Sequence, residues 1–122
     1  MYTVTKHLEV AGSHQLDLPY RSKCTNIHGH NWHIWITISS ECLNSEGMVM
    51  DFTLIKKEIH DWLDHKHIND LIECNPTAEN MAALIAERLN NLLTPMWDGD
   101  YEPEVISVKV QESDGNIAEW SI

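Results

Sequence analysis

Basic residues are scarce in this 122-residue chain, which has 8 Lys and Arg against 19 Asp and Glu and a formal net charge of −11. Such a charge repels the phosphates of nucleic acids and of anionic membranes, so neither is an expected partner. No apolar run approaches the roughly 18 residues of a membrane span, and residues 1–10 lack the apolar stretch of a signal peptide. We therefore expect a cytoplasmic protein.

Cysteine is also rare. Cys24, Cys42 and Cys74 are an odd number without a regular spacing, which argues against a disulfide framework and leaves a reactive thiol as one role for them. The length allows one domain over residues 1–122, and 43% apolar residues suffice for a core.

Hydrophobic periodicity predicts four strands and two helices. Apolar residues alternate with polar ones over residues 3–10, 28–39, 106–110 and 117–122, whereas residues 11–27 lose all period and read as a long loop. Apolar residues at helical spacing predict helices over residues 51–64 and from the capping Thr77 to about residue 92. The order ββααββ indicates an α+β fold with a four-stranded antiparallel sheet and both helices on one face. The open sheet edges favour a homo-oligomer.

The eight histidines contain one pattern typical of a metal site. His28 and His30 open the second strand on the same face, and His14 is the natural third ligand because the preceding strand lies beside it. Three histidines with a free fourth position make a Lewis-acid zinc. Cys24 either completes a closed structural zinc site or acts as a thiolate base or nucleophile, and the spacing does not decide between these two roles.

A second polar cluster follows the first predicted helix. In residues 63–70 the helix macrodipole favours a protonated histidine, and an adjacent carboxylate can orient its ring and hold its charge for proton transfer. Alternatively the cluster is a solvated helix end, and the role of His67 is open. Glu112 can accept two parallel N–H bonds from a guanidine-like ring edge, or is simply solvated. Thr77 and Glu79 lie in the first turn of the second helix, where they stabilise the helix start or face a ligand.

Six segments together resemble the tunnelling-fold (T-fold) pterin enzymes, the family of 6-pyruvoyltetrahydropterin synthase and 6-carboxytetrahydropterin synthase. They are the segment around His14, CTNIHGHN at 24–31, MDF at 50–52, LDHKHIND at 63–70, NPTAEN at 75–80 and VKVQES at 108–113. Three residues separate Cys24 from His28, and this spacing is similar to that of the carboxy branch.

The resemblance implies a role for each candidate residue. It places the zinc ligands at His14, His28 and His30, the catalytic thiol at Cys24, an Asp-His pair at Asp64 and His65, and the pterin anchor at Glu112, with Thr77 and Glu79 lining the pterin pocket. Many carboxy-branch relatives carry arginine where this chain has Gln15 and Asn26. We therefore predict that Arg21 and Lys23 bind the substrate's phosphates.

The implied activity is that of a zinc-dependent lyase of queuosine biosynthesis. It converts 7,8-dihydroneopterin triphosphate to 6-carboxy-5,6,7,8-tetrahydropterin, acetaldehyde and triphosphate, in trimers or hexamers of one chain. The alternatives are a pyruvoyl-type synthase, an enzyme acting on a dephosphorylated or shortened pterin side chain, and a non-catalytic module stabilised by a structural zinc.

Overall fold

The computed structural model describes residues 1–122 and contains one five-stranded sheet and two α-helices. The strands are β1 (Tyr2–His14), β2 (His28–Ser40), β3 (Lys66–His67), β4 (Glu104–Ser113) and β5 (Asn116–Ser121). The helices are α1 (Phe52–Leu63) and α2 (Ala78–Leu93), and short 3₁₀ segments occupy Lys23–Thr25, Ile68–Asp70 and Thr94–Met96. The predicted α+β class, with two helices and a sheet, is confirmed.

The sheet differs from the prediction of four antiparallel strands, which was wrong. Its order is β3-β1-β2-β4-β5, and β3 pairs in parallel with β1 at Gly12–Lys66 and Ser13–His67. A two-residue strand is too short to show any alternation, so the sequence pattern could not reveal it. β3 forms because the chain turns at His65, whose φ is 57°, and the His65 amide donates to the Ala11 carbonyl oxygen at 2.7 Å.

β1 also runs further than predicted. Residues 11–14 are not loop but continue the strand and pair with residues 28–31 of β2, so that His14 lies opposite His28. Small and polar residues at 11–13 hid this extension, although burial still alternates there, with Gly12 and His14 buried. The longer strand carries His14 to the end of the sheet where β2 begins.

The core lies between the helices and one face of the sheet. The buried side chains of α1 and α2 pack against inward-facing residues of β1, β2 and β4 in one cluster, represented by Val10, Trp32, Ile55, Ile85 and Val108. Alternation along each strand sends the neighbouring side chains to the opposite face, which carries no helix. No helix is both long enough and apolar enough to cross a membrane.

Side-chain caps fix the helix starts. The Asp51 carboxylate accepts from the Thr53 amide at 2.8 Å at the start of α1, and the Thr77 hydroxyl accepts from the Asn80 amide at 3.1 Å at the start of α2.

Close packing joins β1 to the segment after β3. A Cβ on Gly12 would lie 3.0 Å from Cδ1 of the buried Ile68. A larger residue at position 12 would therefore require the end of the Ile68 side chain to shift by a few tenths of an ångström, and glycine avoids this crowding.

Candidate metal centre and active site

Three imidazoles meet where β1 ends and β2 begins. The ring centroids of His14 and His28 are 4.4 Å apart, those of His14 and His30 5.1 Å, and those of His28 and His30 4.9 Å. The Glu112 carboxylate, near the end of β4, joins them, and one ligand atom from each of the four residues lies within 4.8 Å of the others.

Main-chain oxygens orient two of these rings. Nδ1 of His14 lies 2.8 Å from the carbonyl oxygen of Pro76, and Nδ1 of His28 lies 2.7 Å from that of Asn26. A carbonyl oxygen only accepts, so Nδ1 of each neutral ring carries the proton and Nε2 keeps its lone pair. Histidines that bind a metal through one ring nitrogen typically donate the other N–H to an oxygen in this way.

The free nitrogens are themselves buried. Nε2 of His14 and Nε2 of His30 have no hydrogen-bond partner, although Glu112 Oε1 lies 3.3 Å from the latter without the alignment of a hydrogen bond. Burial lowers the pKa of His14 and of His30 below the usual 6.5, which favours neutral rings. Unpartnered, neutral nitrogens beside a carboxylate are the donor set that Zn²⁺ prefers, so these residues fit a metal ion.

Cys24 stands outside this group. It is half-buried in the Lys23–Thr25 segment, and the metal-competent cluster comprises only the three histidines and Glu112. This geometry gives no support to a closed structural site completed by the thiol. Arg21 and Lys23, in the same loop, are exposed and form no ion pair.

Asp64 and His65 form a tight pair. Nδ1 of His65 is 2.7 Å from Asp64 Oδ2, while Oδ1 of Asp64 accepts from the Ala11 amide at 2.9 Å. The Ala11 bond, and then the His65 bond, lower the pKa of Asp64, so its carboxylate stays charged. The His65 side chain is otherwise 82% exposed.

His65 opens into a cleft of about 530 Å³ shared with His67, whose Nδ1 is 2.9 Å from the Ser13 hydroxyl. Ala11, Ser13 and Asn31 also line this cleft, and they alternate with the strand positions that face the helices. His30 borders it at the strand end. His65 makes no hydrogen bond and no ring contact with Cys24 or the three clustered histidines of its own chain.

A second cleft of about 530 Å³ lies beside the metal-competent group. It brings Glu79, at the start of α2, together with Glu112 and the β4–β5 turn. Thr77 is not among its lining residues, and its hydroxyl caps α2. The sequence did not indicate that Glu112 would lie against His30, since this depends on how β2 and β4 align.

Comparison with known proteins decides the family. The family model described as 6-pyruvoyl tetrahydropterin synthase matches residues 3–121. The chain belongs to the 6-pyruvoyl tetrahydropterin synthase family.

Relatives in this family carry more than one activity. A 6-carboxy-5,6,7,8-tetrahydropterin synthase of Rickettsia typhi is 28% identical, over 98% of this chain and 99% of that protein. A dihydroneopterin monophosphate aldolase of Pyrococcus furiosus is 32% identical, over 77% of this chain and 79% of that protein. A Pyrococcus horikoshii relative is 45% identical, but the match spans only 49% of this chain and 37% of that protein.

Solved structures of the 6-pyruvoyl tetrahydropterin synthase family share the fold. The synthase of Caenorhabditis elegans superposes with a TM-score of 0.73 over 99% of this chain and 95% of that one, at 24% identity. This similarity fits the predicted tunnelling fold.

Proposed function

We propose that this chain is a zinc-dependent 6-carboxy-5,6,7,8-tetrahydropterin synthase acting in queuosine biosynthesis. Its substrates are 7,8-dihydroneopterin triphosphate and one water molecule, and its products are 6-carboxytetrahydropterin, acetaldehyde and triphosphate. The observation that carries the proposal is the convergence of three imidazoles, two of them with buried and unpartnered Nε2 atoms. The Rickettsia relative's name supports the carboxy reaction.

His14, His28 and His30 would hold the zinc ion, and Glu112, although its carboxylate lies close to them, is assigned to the pterin ring. When bound, Zn²⁺ supplies Lewis acidity towards the hydroxyl groups of the pterin side chain. Because burial lowers the pKa of His14 and of His30, these two rings need no deprotonation to act as ligands, which favours binding near neutral pH.

The remaining residues bind the pterin and move protons. Glu112 accepts N–H groups of the pterin ring, and Glu79 lines the same cleft, while Thr77 holds the start of the helix that carries Glu79. Cys24, as thiolate, removes a proton from the substrate side chain, and His65 returns one, its ring oriented and its charge stabilised by Asp64.

The phosphate end of the substrate needs cations. Arg21 and Lys23 lie beside Cys24 in the same loop, exposed and free of ion pairs, and we assign the triphosphate to them. Replacing both by Gln should raise KM for the triphosphate with little change in kcat, and an unchanged KM contradicts the assignment.

We also propose that the chain works as a homo-oligomer, a trimer or hexamer. β5 leaves one sheet edge open, and β3 covers only two residues of β1 at the other. His65 faces a cleft on the side of the sheet away from the helices, and it makes no hydrogen bond or ring contact with its own clustered histidines, of which only His30 borders the cleft. A second copy docked there would bring its metal cluster to His65. A concentration-independent monomer in sedimentation contradicts this arrangement.

A second candidate is cleavage of dihydroneopterin monophosphate, favoured by the Pyrococcus furiosus aldolase. The Gln15 side chain, where many carboxy-branch relatives carry arginine, donates to the Thr25 carbonyl oxygen at 2.7 Å and offers no charge to a triphosphate. A pyruvoyl-type synthase and a non-catalytic module with a structural zinc are the further alternatives.

Product analysis of the zinc-loaded protein separates these reactions. Acetaldehyde together with triphosphate, formed from the triphosphate substrate, supports the carboxy synthase. Triphosphate without acetaldehyde indicates a pyruvoyl-type reaction, and a phosphorylated two-carbon aldehyde from dihydroneopterin monophosphate indicates the aldolase. A chain that keeps zinc and turns over none of these pterins is a non-catalytic module.

A further inference from the structure

Two asparagine side chains hold the segment that follows β1. Asn69 Oδ1 accepts from the Gln15 amide at 2.8 Å, and Asn69 Nδ2 donates to the Gln15 carbonyl oxygen at 2.8 Å. Asn75 makes the same pair of bonds with Asp17, again at 2.8 Å each. Each amide thus satisfies both main-chain groups of one residue, as a neighbouring β-strand would.

We call Asn69 and Asn75 the clamps, and the segment that they hold, residues 15–17, supports Cys24. Between the two clamped residues, the amide of Leu16 donates to the carbonyl oxygen of Cys24 at 2.8 Å. The Gln15 side chain adds a bond to the carbonyl oxygen of Thr25 at 2.7 Å. The chain that carries the thiol is therefore held by a segment that has side-chain amides in place of a strand partner.

The same clamps connect the loop that carries the thiol to the residues of the metal cluster. Gln15 directly follows His14, and Asn75 directly precedes Pro76, whose carbonyl oxygen accepts from the His14 ring. Asn75 is itself fixed, because its carbonyl oxygen accepts from the Asn80 side chain at 2.9 Å in the first turn of α2.

We propose that Asn69 and Asn75 are positioning residues that set the Cys24 thiol relative to the metal site. The inference rests on the proposed function, in which this thiol moves a proton of the substrate. A small displacement of a reacting group lowers kcat without weakening the binding of the pterin ring or of zinc.

The test compares the variants Asn69→Asp and Asn75→Asp with the parent chain. Aspartate keeps one acceptor but replaces the Nδ2 donor by an oxygen that faces a carbonyl oxygen. All chains carry Cys42→Ser and Cys74→Ser, so that Cys24 is the only thiol; both replaced cysteines are exposed. We expect kcat to fall roughly 10- to 100-fold. The rate of Cys24 alkylation by iodoacetamide should rise about threefold or more, as the loop opens, with KM and zinc content retained.

Asn44→Asp is the matched control. Asn44 lies in a distant turn beside Tyr101, and its Oδ1 accepts from the Glu46 amide at 3.0 Å and the Met48 amide at 2.9 Å, so aspartate preserves both of these bonds. It adds the same charge and should leave kcat and alkylation unchanged. Asn69→Ser and Asn75→Ser remove the amide without adding charge and should reproduce the fall in kcat.

Two results overturn the proposal. One is a parental kcat and alkylation rate in all four clamp variants. The other is a fall in kcat that occurs together with a loss of zinc content and a lower melting temperature, which indicates a structural role. If the parent chain turns over none of the pterins, the proposed function fails, and the alkylation rates still decide whether the clamps position Cys24.

Discussion

The imidazole of His14 donates a hydrogen bond from Nδ1 to the carbonyl oxygen of Pro76 at 2.8 Å, which joins the end of β1 to the start of α2. This bond determines which nitrogen remains available, because the proton on Nδ1 leaves the Nε2 lone pair directed into the cluster with His28 and His30. One main-chain oxygen, two residues before the first residue of α2, thus fixes the tautomer of a candidate zinc ligand.

Removing this ring should abolish zinc binding. We expect His14→Ala to lower the metal content from about one Zn²⁺ per chain to near zero, since Glu112 is assigned to the pterin ring and two imidazoles alone hold zinc far less tightly than three. Elemental analysis after dialysis measures the content. His33→Ala is the control, because His33 lies on the helix-free face beside His7. Full zinc occupancy in His14→Ala contradicts the assigned site.

Acid should lower the free energy of unfolding of the chelator-treated protein in a defined pH range. Burial lowers the pKa of His14 and of His30 below 6.5, so between their folded pKa values and 6.5 the unfolded chain binds more protons than the folded chain. The free energy of unfolding therefore falls as the pH decreases from about 6.5, and urea denaturation at a series of pH values measures it. His14→Ala should show a smaller fall, and an equal fall in that variant contradicts the explanation.

Asp64→Asn should separate catalysis from folding. The amide oxygen still accepts from the Ala11 amide, but the charge that stabilises a protonated His65 is lost. We expect kcat to fall by about 10²- to 10⁴-fold with little change in melting temperature. Asp61→Asn, an exposed neighbour on α1, is the matched control. A parental kcat in Asp64→Asn removes the pair from the proposed mechanism.

Cys24→Ala distinguishes a working thiol from a zinc ligand. Because the sulfur lies outside the metal-competent group, the variant should keep its zinc and its fold while turnover is lost. Metal content, melting temperature and kcat are measured together, with Cys42→Ala as the control. Loss of zinc along with activity would support the structural-zinc alternative.

Mixing two inactive variants tests whether copies share one active site. If His65 serves the metal cluster of a neighbouring copy, Cys24→Ala and His65→Ala chains that are unfolded and refolded together should recover about a quarter of the parental activity, from random mixing. Each variant refolded alone should stay inactive. Absence of recovery in an oligomer shown to contain both chains contradicts a shared site.

Features of the fold and the site that depend on residues close together in the chain could be predicted from the sequence. A period of two in a strand was enough to put His28 and His30 on one face, and the helix-capping Thr77 was legible from its local motif. Both of these features are local. Whether the histidines bind zinc stays a prediction.

Features that depend on distant alignment were missed. The approach of Glu112 to His30 needs the register of β2 against β4, and the parallel strand β3 exists only through its pairing with β1. The bonds of Asn69 and Asn75 to main-chain groups 54 and 58 residues earlier leave no periodic trace in the sequence. Such contacts become visible only once the chain is folded.

The close approach of Gly12 and Ile68 links sequence change at two distant places. A methyl group at residue 12 would crowd Cδ1 of Ile68, and Ile68 directly precedes Asn69, one of the two clamps. A larger residue at position 12 should therefore be accompanied by a shorter side chain at residue 68, so that β1 and the turn after β3 diversify as one unit.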